Sequence, residues 1–129
     1  MTGGLGFIGS NYILTKIYEP SIQICNYDKM TYAANLANLS SISDRPNYKF
    51  IKGDICDSKL LYQSINEFAP NIVINFAAES HVDRSIDAPL DFIKTNVLGT
   101  TVLLDCCLRY IQSLDNESNF RFLHISTDE

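Results

Sequence analysis

Glycines crowd the start of the chain, in Thr2-Gly3-Gly4-Leu5-Gly6-Phe7-Ile8-Gly9-Ser10. At such spacing a backbone can wrap a pyrophosphate: Gly3 or Gly4 would make the tight turn, Gly6 the close approach to the phosphates, and Gly9 the close seating of a helix on a sheet. The helix start then offers free N–H groups and a partial positive charge to the anion. Taken alone, Gly4-x-Gly6-x-x-Gly9 fits an ordinary strand-to-helix turn as well. Asp28 follows about 20 residues on, where an acidic side chain accepts hydrogen bonds from both ribose hydroxyls of NAD and repels the 2′-phosphate of NADP. NAD is the cofactor these residues favour. At the other end, Ser126-Thr127-Asp128-Glu129 sets two carboxylates side by side after an apolar run. An isolated Asp-Glu pair is most often solvated; at the carboxyl end of a buried strand it is a candidate acid and base, provided its surroundings drive the two pKa values apart.

The elements that would position these groups can be read from the pattern. A buried strand should lead into a glycine turn, and only Met1 stands before it, so the first strand reads as missing. A helix is expected from about Phe7 to Tyr18, with Ile8, Tyr12, Ile13 and Ile17 near one face, ended by Pro20. A short strand around Ile22, Ile24 and Cys25 stops at Asp28, and Tyr32 to Ser43 reads as loop and short helix. Tyr48-Lys49-Phe50-Ile51-Lys52 alternates like a strand; Asp57 can cap a helix from Ser58 to Phe68, closed by Ala69-Pro70. Ile72 to Phe76 is a nearly continuous apolar run, as in a parallel strand covered on both faces, and it delivers Ala77-Ala78-Glu79-Ser80-His81. Pro89 suits the first turn of a long helix to about Tyr110, with Phe92, Ile93, Val97, Leu98, Leu103 and Leu104 as its apolar face. Asp115 to Asn119 reads as a solvated loop before a last strand from Phe120 to Ile125. This alternation predicts a doubly wound parallel α/β sheet, and residues 1–129 as one dinucleotide-binding domain.

At 129 residues, 46% of them hydrophobic, the chain can bury a sizeable core. The net charge of −5 and the scattering of Lys and Arg speak against nucleic acid as a partner. Cys25, Cys56, Cys106 and Cys107 show no ligand spacing, and with only His81 and His124 beside them no metal site is expected. Adjacent Cys106 and Cys107 are poor disulfide partners, which fits a reducing, cytoplasmic setting. No apolar run approaches the ~20 residues of a membrane span.

Five stretches together resemble the nucleotide-sugar 4,6-dehydratases of the extended short-chain dehydrogenase/reductase class, above all those acting on dTDP-glucose. They are the glycine run; Asp28-Lys29-Met30-Thr31-Tyr32-Ala33-Ala34-Asn35-Leu36; Gly53-Asp54-Ile55; Phe76 to Ile86 with Thr95-Asn96-Val97-Leu98-Gly99-Thr100; and His124 to Glu129. The resemblance implies a Rossmann-like sheet of order 3-2-1-4-5. It further implies Phe7 and Ile8 against the pyrophosphate, Asp28, Lys29 and Thr31 around the adenosine ribose, and Asp54 and Ile55 at the adenine. The run Phe76 to Ser80, with Thr95, would line the nicotinamide side, Ser80 also touching substrate. Thr127 would hydrogen-bond near the sugar 4-hydroxyl, Glu129 take the C5 proton and Asp128 assist departure of the 6-hydroxyl as water.

The same resemblance implies a nucleotide-sugar substrate, no membrane partner and a homodimer for the full-length enzyme. Dehydratases of UDP-glucose or GDP-mannose, and a non-catalytic nucleotide-binding remnant, are the alternatives; a 4-epimerase would have no use for the Asp128-Glu129 pair. Asn75 and Phe76 stand where the family more often has His-Leu, and Ala34 where Gly is expected. The family's catalytic Tyr-x-x-x-Lys is not found in its place. Tyr48 and Lys52 match its letters, but in a strand four residues span about 13 Å, whereas the catalytic pair needs one helical turn. His81 and His124 read as packed or hydrogen-bonded side chains, and Asp83 and Arg84 as an ion pair. The chain thus reads as the front part of an enzyme, without its first strand and its substrate domain, and on its own is expected to show neither turnover nor a robust cooperative fold.

Overall fold

The computed structural model describes residues 1–114 and 119–126, and of Val82 and Arg84 only the backbone. Most of the loop expected over Asp115 to Asn119, and all of Thr127, Asp128 and Glu129, lie outside the described residues.

A parallel sheet with helices on both faces carries the cleft. Helix α1 (Phe7–Lys16) leads to strand β1 (Ile24–Asp28), a 3-10 helix (Leu36–Ile42), β2 (Tyr48–Lys52), α2 (Ser58–Phe68) and β3 (Ile72–Asn75). Then come α3 (Val82–Asp87), a long helix made of α4 (Pro89–Phe92), a π segment (Ile93–Gly99) and α5 (Thr100–Gln112), and finally β4 (Arg121–His124). β1 pairs in parallel with β2, and β3 with β4. Between these pairs Thr2 forms a parallel bridge to Tyr27 on one side and to Asn75 on the other. The backbone bonds Tyr27 N–H to Met1 O, Gly3 N–H to Tyr27 O, Thr2 N–H to Ile74 O and Phe76 N–H to Thr2 O stitch the pairs together. The order is therefore the expected 3-2-1-4-5, with Met1 to Gly3 at the central position, so the few residues before the glycine turn do take up the strand's role at its carboxyl end. Toward the other end of the strands a cavity of about 400 Å³ lies between β1 and β3, lined by Ile24, Cys25, Ile72 and Ile74 among others.

The sheet separates two apolar clusters. Leu5, Ile13 and Ile17 pack with Ile24, Leu39 and Ile42 on one face. Tyr27, Ile55 and Val73 pack on the other against Leu61 and Ile65 of α2 and Leu103, Cys106, Cys107 and Tyr110 of α5. β1 is buried along its whole length, as a strand covered on both faces must be. Helix α2 starts where Asp57 accepts a hydrogen bond from Leu60 N–H (3.1 Å) and ends at Ala69, whose left-handed φ of 51° turns the chain into Pro70.

Two expected faces differ from the structure. On α1 the buried residues are Gly9, Ser10 and Ile13, while Ile8 is 62% exposed and Tyr12 lies over Phe76 with ring centroids 5.7 Å apart. On the long helix Leu103 is buried, but Ile93, Val97, Leu98 and Leu104 are exposed. The buried and half-buried positions Phe92, Asn96, Gly99, Leu103, Cys106 and Tyr110 recur at helical spacing straight through the π segment, so the side turned to the core is offset from the expected one along the whole helix. The core face becomes Gly99, Leu103, Cys106, Cys107 and Tyr110. Val82–Asp87, for which the pattern predicts no element, form the short helix α3.

Candidate functional site

The cleft opens at the carboxyl ends of the strands, where open α/β sheets hold their ligands. It encloses about 100 Å³ and is lined by Gly3, Gly6, Asp28, Lys29, Thr31, Asp54, Ile55, Phe76, Ala77, Ala78 and Thr95, together with Tyr27, Ala33, Ala34, Gly53 and Glu79. The larger cavity between β1 and β3 is at the opposite end and is walled mainly by apolar side chains, so the smaller cleft is where convergent polar groups could do chemistry.

The turn itself is shaped by what lies against it. Gly3 has φ +69°, and a Cβ there would sit 2.5 Å from the backbone nitrogen of Ala77 at the end of β3. Gly3, not Gly4, makes the left-handed step. Around Gly6 a Cβ would find only Gly3 O at 3.5 Å, so this backbone faces open space, as a phosphate approach requires. Gly9 packs on the turn rather than on the sheet, since a Cβ would meet Gly3 O at 2.5 Å and Gly4 Cα at 2.8 Å. No side chain caps the start of α1, and Phe7 and Ile8 stand 82% and 62% exposed beside it, on the rim outside the enclosed cleft.

Asp28, 8% exposed, does more than sequence suggested. Its Oδ2 accepts from Leu5 N–H (2.9 Å) and its Oδ1 from Met30 N–H (2.8 Å). One carboxylate thus ties the glycine turn to the end of β1, and each oxygen keeps a second lone pair for a ligand hydroxyl. Asp54 stands nearby, with Oδ2 2.8 Å from Lys29 Nζ and Oδ1 accepting from Cys56 N–H at 2.9 Å. Partial burial alone would raise its carboxyl; the Lys29 ammonium and the Cys56 N–H outweigh that and hold it below the ordinary value. Lys29 is raised in turn, chiefly by its hydrogen bond to Asp54. Tyr27 donates to Asp54 O (3.1 Å), its ring passing over Gly53, and burial pushes its phenol up.

The β3 edge is held by amides. Asn75, fully buried, accepts from the Thr2 hydroxyl and from Ala77 N–H, and its Nδ2 lies 3.0 Å from His124 Nδ1. Asn96, in the π segment, accepts from Glu79 N–H and donates to Glu79 O, both at 2.8 Å. Tyr32 donates to Glu79 Oε2 at 3.1 Å and lies 6.0 Å, ring to ring, from His81. Glu79 lies in the run expected at the nicotinamide side and does line the cleft, but nothing in residue spacing says that Asn96, an amide on a distant helix, or Tyr32, in the loop after β1, reaches it. Ser80 is exposed beside Glu79 and does not line the cleft. Tyr48 and Lys52 do lie in a strand, and the Tyr48 hydroxyl accepts from Asn26 Nδ2 at 3.0 Å. The four thiols are free and all raised by burial, Cys107 to about 12, which makes them packing residues rather than nucleophiles. No group of metal-ligating side chains is found among the described residues, and none of their helices is long and apolar enough to cross a membrane.

A parallel sheet of this order, with a glycine turn opening a helix and an acidic residue closing the next strand, defines a Rossmann-like dinucleotide-binding fold. Comparison with known proteins narrows the class. The model of the GDP-mannose 4,6 dehydratase family matches residues 1–129, and the chain belongs to that family. A dTDP-glucose 4,6-dehydratase of Xanthomonas campestris pv. campestris (strain B100) is 47% identical over all of this chain, which spans 37% of that relative's length. The crystal structure of dTDP-glucose 4,6-dehydratase from Bacillus anthracis str. Ames in complex with NAD superposes with a TM-score of 0.78 at 40% identity, over 98% of this chain and 36% of that one. A UDP-glucose 4-epimerase from Thermotoga maritima, solved with UDP-glucose, gives 0.79 at 28% identity, over 98% of this chain and 36% of that one.

Proposed function

We propose that the cleft binds NAD and that the chain supplies the cofactor-binding part of a dTDP-glucose 4,6-dehydratase. The observation that carries this is the Asp28 carboxylate, locked to Leu5 N–H and Met30 N–H at the mouth of the cleft with one lone pair left on each oxygen. Two ribose hydroxyls match that pair of acceptors, and a 2′-phosphate would meet a fixed negative charge. The open space around Gly6 and the uncapped start of α1 fit a pyrophosphate. On this reading Lys29 and Thr31 border the ribose and Asp54 and Ile55 the adenine. Phe7 and Ile8 cover the pyrophosphate, and Phe76, Ala77, Ala78 and Thr95 face the nicotinamide.

When bound, NAD would supply the hydride acceptor at sugar C4 and the donor back to C6, while the 4-hydroxyl proton would pass to the tyrosine of the family's Tyr-x-x-x-Lys and C5 would regain its proton from Glu129 as hydride returns. The chain's own part would be to hold the sugar at Ser80 and Thr127, to take the C5 proton at the Glu129 carboxylate, and to give a proton from Asp128 to the departing 6-hydroxyl, so that water leaves across C5–C6. Residues 1–129 then form one NAD-binding domain of a cytoplasmic enzyme. A homodimer is supported by exposed apolar side chains on the long helix, Leu90, Ile93, Val97, Leu104 and Leu108, a greater number than a solvated helix normally carries.

Titration of the full-length enzyme with NAD and NADP tests the cofactor, with NAD expected to bind more tightly and the preference to collapse in Asp28→Ser; equal binding of both by the wild type contradicts it. The chemistry is tested in the full-length enzyme, where Asp128→Asn and Glu129→Gln should oxidise C4 but dehydrate slowly. Equal loss of both steps in both variants would remove the assigned roles.

A further inference from the structure

Glu79, on the cleft wall, is gripped from two separate elements. Its backbone N–H and C=O both bond the Asn96 side chain at 2.8 Å, a pairing that imitates one rung of a sheet. Its carboxylate accepts from the Tyr32 hydroxyl at 3.1 Å, across from the loop that follows β1. Asn96 lies within the π segment, and π turns cluster at functional sites because they re-aim side chains at the expense of helix regularity. That segment is itself fastened to the cleft: the Cys56 thiol donates to Lys94 O (3.3 Å), Thr95 lines the wall, and Gly99 sits so close to Ile55 that a Cβ would lie 2.6 Å from its Cδ1.

We propose that Glu79 is a positioning residue, fixed by Asn96 at its backbone and by Tyr32 at its carboxylate, that sets the height of the loop after β3 against the nicotinamide end of the bound dinucleotide. This rests on the NAD reading above. The adenosine end does not need the device, because Asp28 and Asp54 are locked by their own partners. The two grips differ in strength: the Asn96 pair is half-buried and two-fold, while the Tyr32 bond is exposed and single.

Calorimetric titration of the full-length enzyme with NAD and with ADP-ribose, which keeps the adenosine, pyrophosphate and second ribose but lacks nicotinamide, separates positioning from general support. Asn96→Ala should weaken NAD on the order of tenfold, about 1.4 kcal/mol at one end of the ligand, and ADP-ribose less than about twofold. Tyr32→Phe, at an exposed site that cannot unfold the chain, should weaken NAD about threefold and leave ADP-ribose unchanged. Glu79→Gln, which keeps an acceptor for Tyr32, should retain most of the affinity that Glu79→Ala loses, and Tyr32→Phe should cost less in the Glu79→Ala background than in the wild type. Equal losses for both ligands, or none in any variant, overturn the role of Glu79 alone. A wild type that binds neither ligand overturns the NAD reading and this role with it.

Discussion

After β1 the chain leaves the sheet through charged groups: Asp28 is bound to two backbone N–H groups and Asp54 is paired with Lys29. After β3 it leaves through amides and small residues, with Asn75 under Ala77 and Asn96 under Glu79. The first edge is set by ion pairing and by a buried carboxylate, so its geometry responds to charge substitution. The second is set by neutral hydrogen bonds, which keep their geometry while charge or hydride moves nearby. One cleft thus has a wall suited to holding a polar ligand and a wall suited to presenting it.

The charged edge should break hardest at Asp28. Asp28→Ala leaves Leu5 N–H and Met30 N–H without their partner, and unfolding free energy by urea titration should fall by about 3 kcal/mol. A loss below about 1 kcal/mol would mean that the carboxylate does not tie the turn to the strand. Gly3→Ala comes next: a positive φ and a Cβ pressed on the Ala77 backbone should lower stability by about 2 kcal/mol. Gly6→Ala, in open space at negative φ, should change stability little and weaken NAD instead, which sharpens the distinction between a glycine needed for the fold and one needed for the ligand.

The smallest effect carries a pH signature. Asp54 is held below its ordinary value in the folded chain, so the stabilisation from its pairing is fully present above the unfolded value of 3.8 and is lost as pH falls through the lower folded one. Lys29→Met should therefore lower stability near neutral pH by no more than about 0.5 kcal/mol, since both groups are partly solvated, and the difference should vanish near pH 2. A deficit that persists there would assign Lys29 a packing role rather than an electrostatic one.

Much of this was legible in the residues. The alternation of β2, the Asp57 cap and Ala69-Pro70 stop of α2, and the apolar run of β3 are local signals, and each element formed where its signal stood. The acidic residue at the end of β1 pointed to the cleft for the right chemical reason, yet its bonds to Leu5 and Met30 depend on how a turn folds back over a strand, which spacing does not encode. On the long helix the core follows Gly99, Leu103, Cys106 and Tyr110 rather than the apolar run Ile93, Val97, Leu98 and Leu104, because contacts at Ile55, Cys56 and Glu79, which no local pattern encodes, select the side that packs. The place of Thr2 between β1 and β3 was hidden for a similar reason: one residue bridging two strands has no pattern to read.

The cleft and the larger cavity between β1 and β3 compete as the ligand site, and residue-resolved amide shifts on adding NAD to the chain discriminate between them. The account predicts shifts at Gly6, Phe7, Ile8, Lys29, Ile55 and Glu79, at the carboxyl ends of the strands. Shifts confined to Ile24, Cys25, Leu61 and Ile72 around the other cavity, or no shifts at saturating NAD, would contradict it.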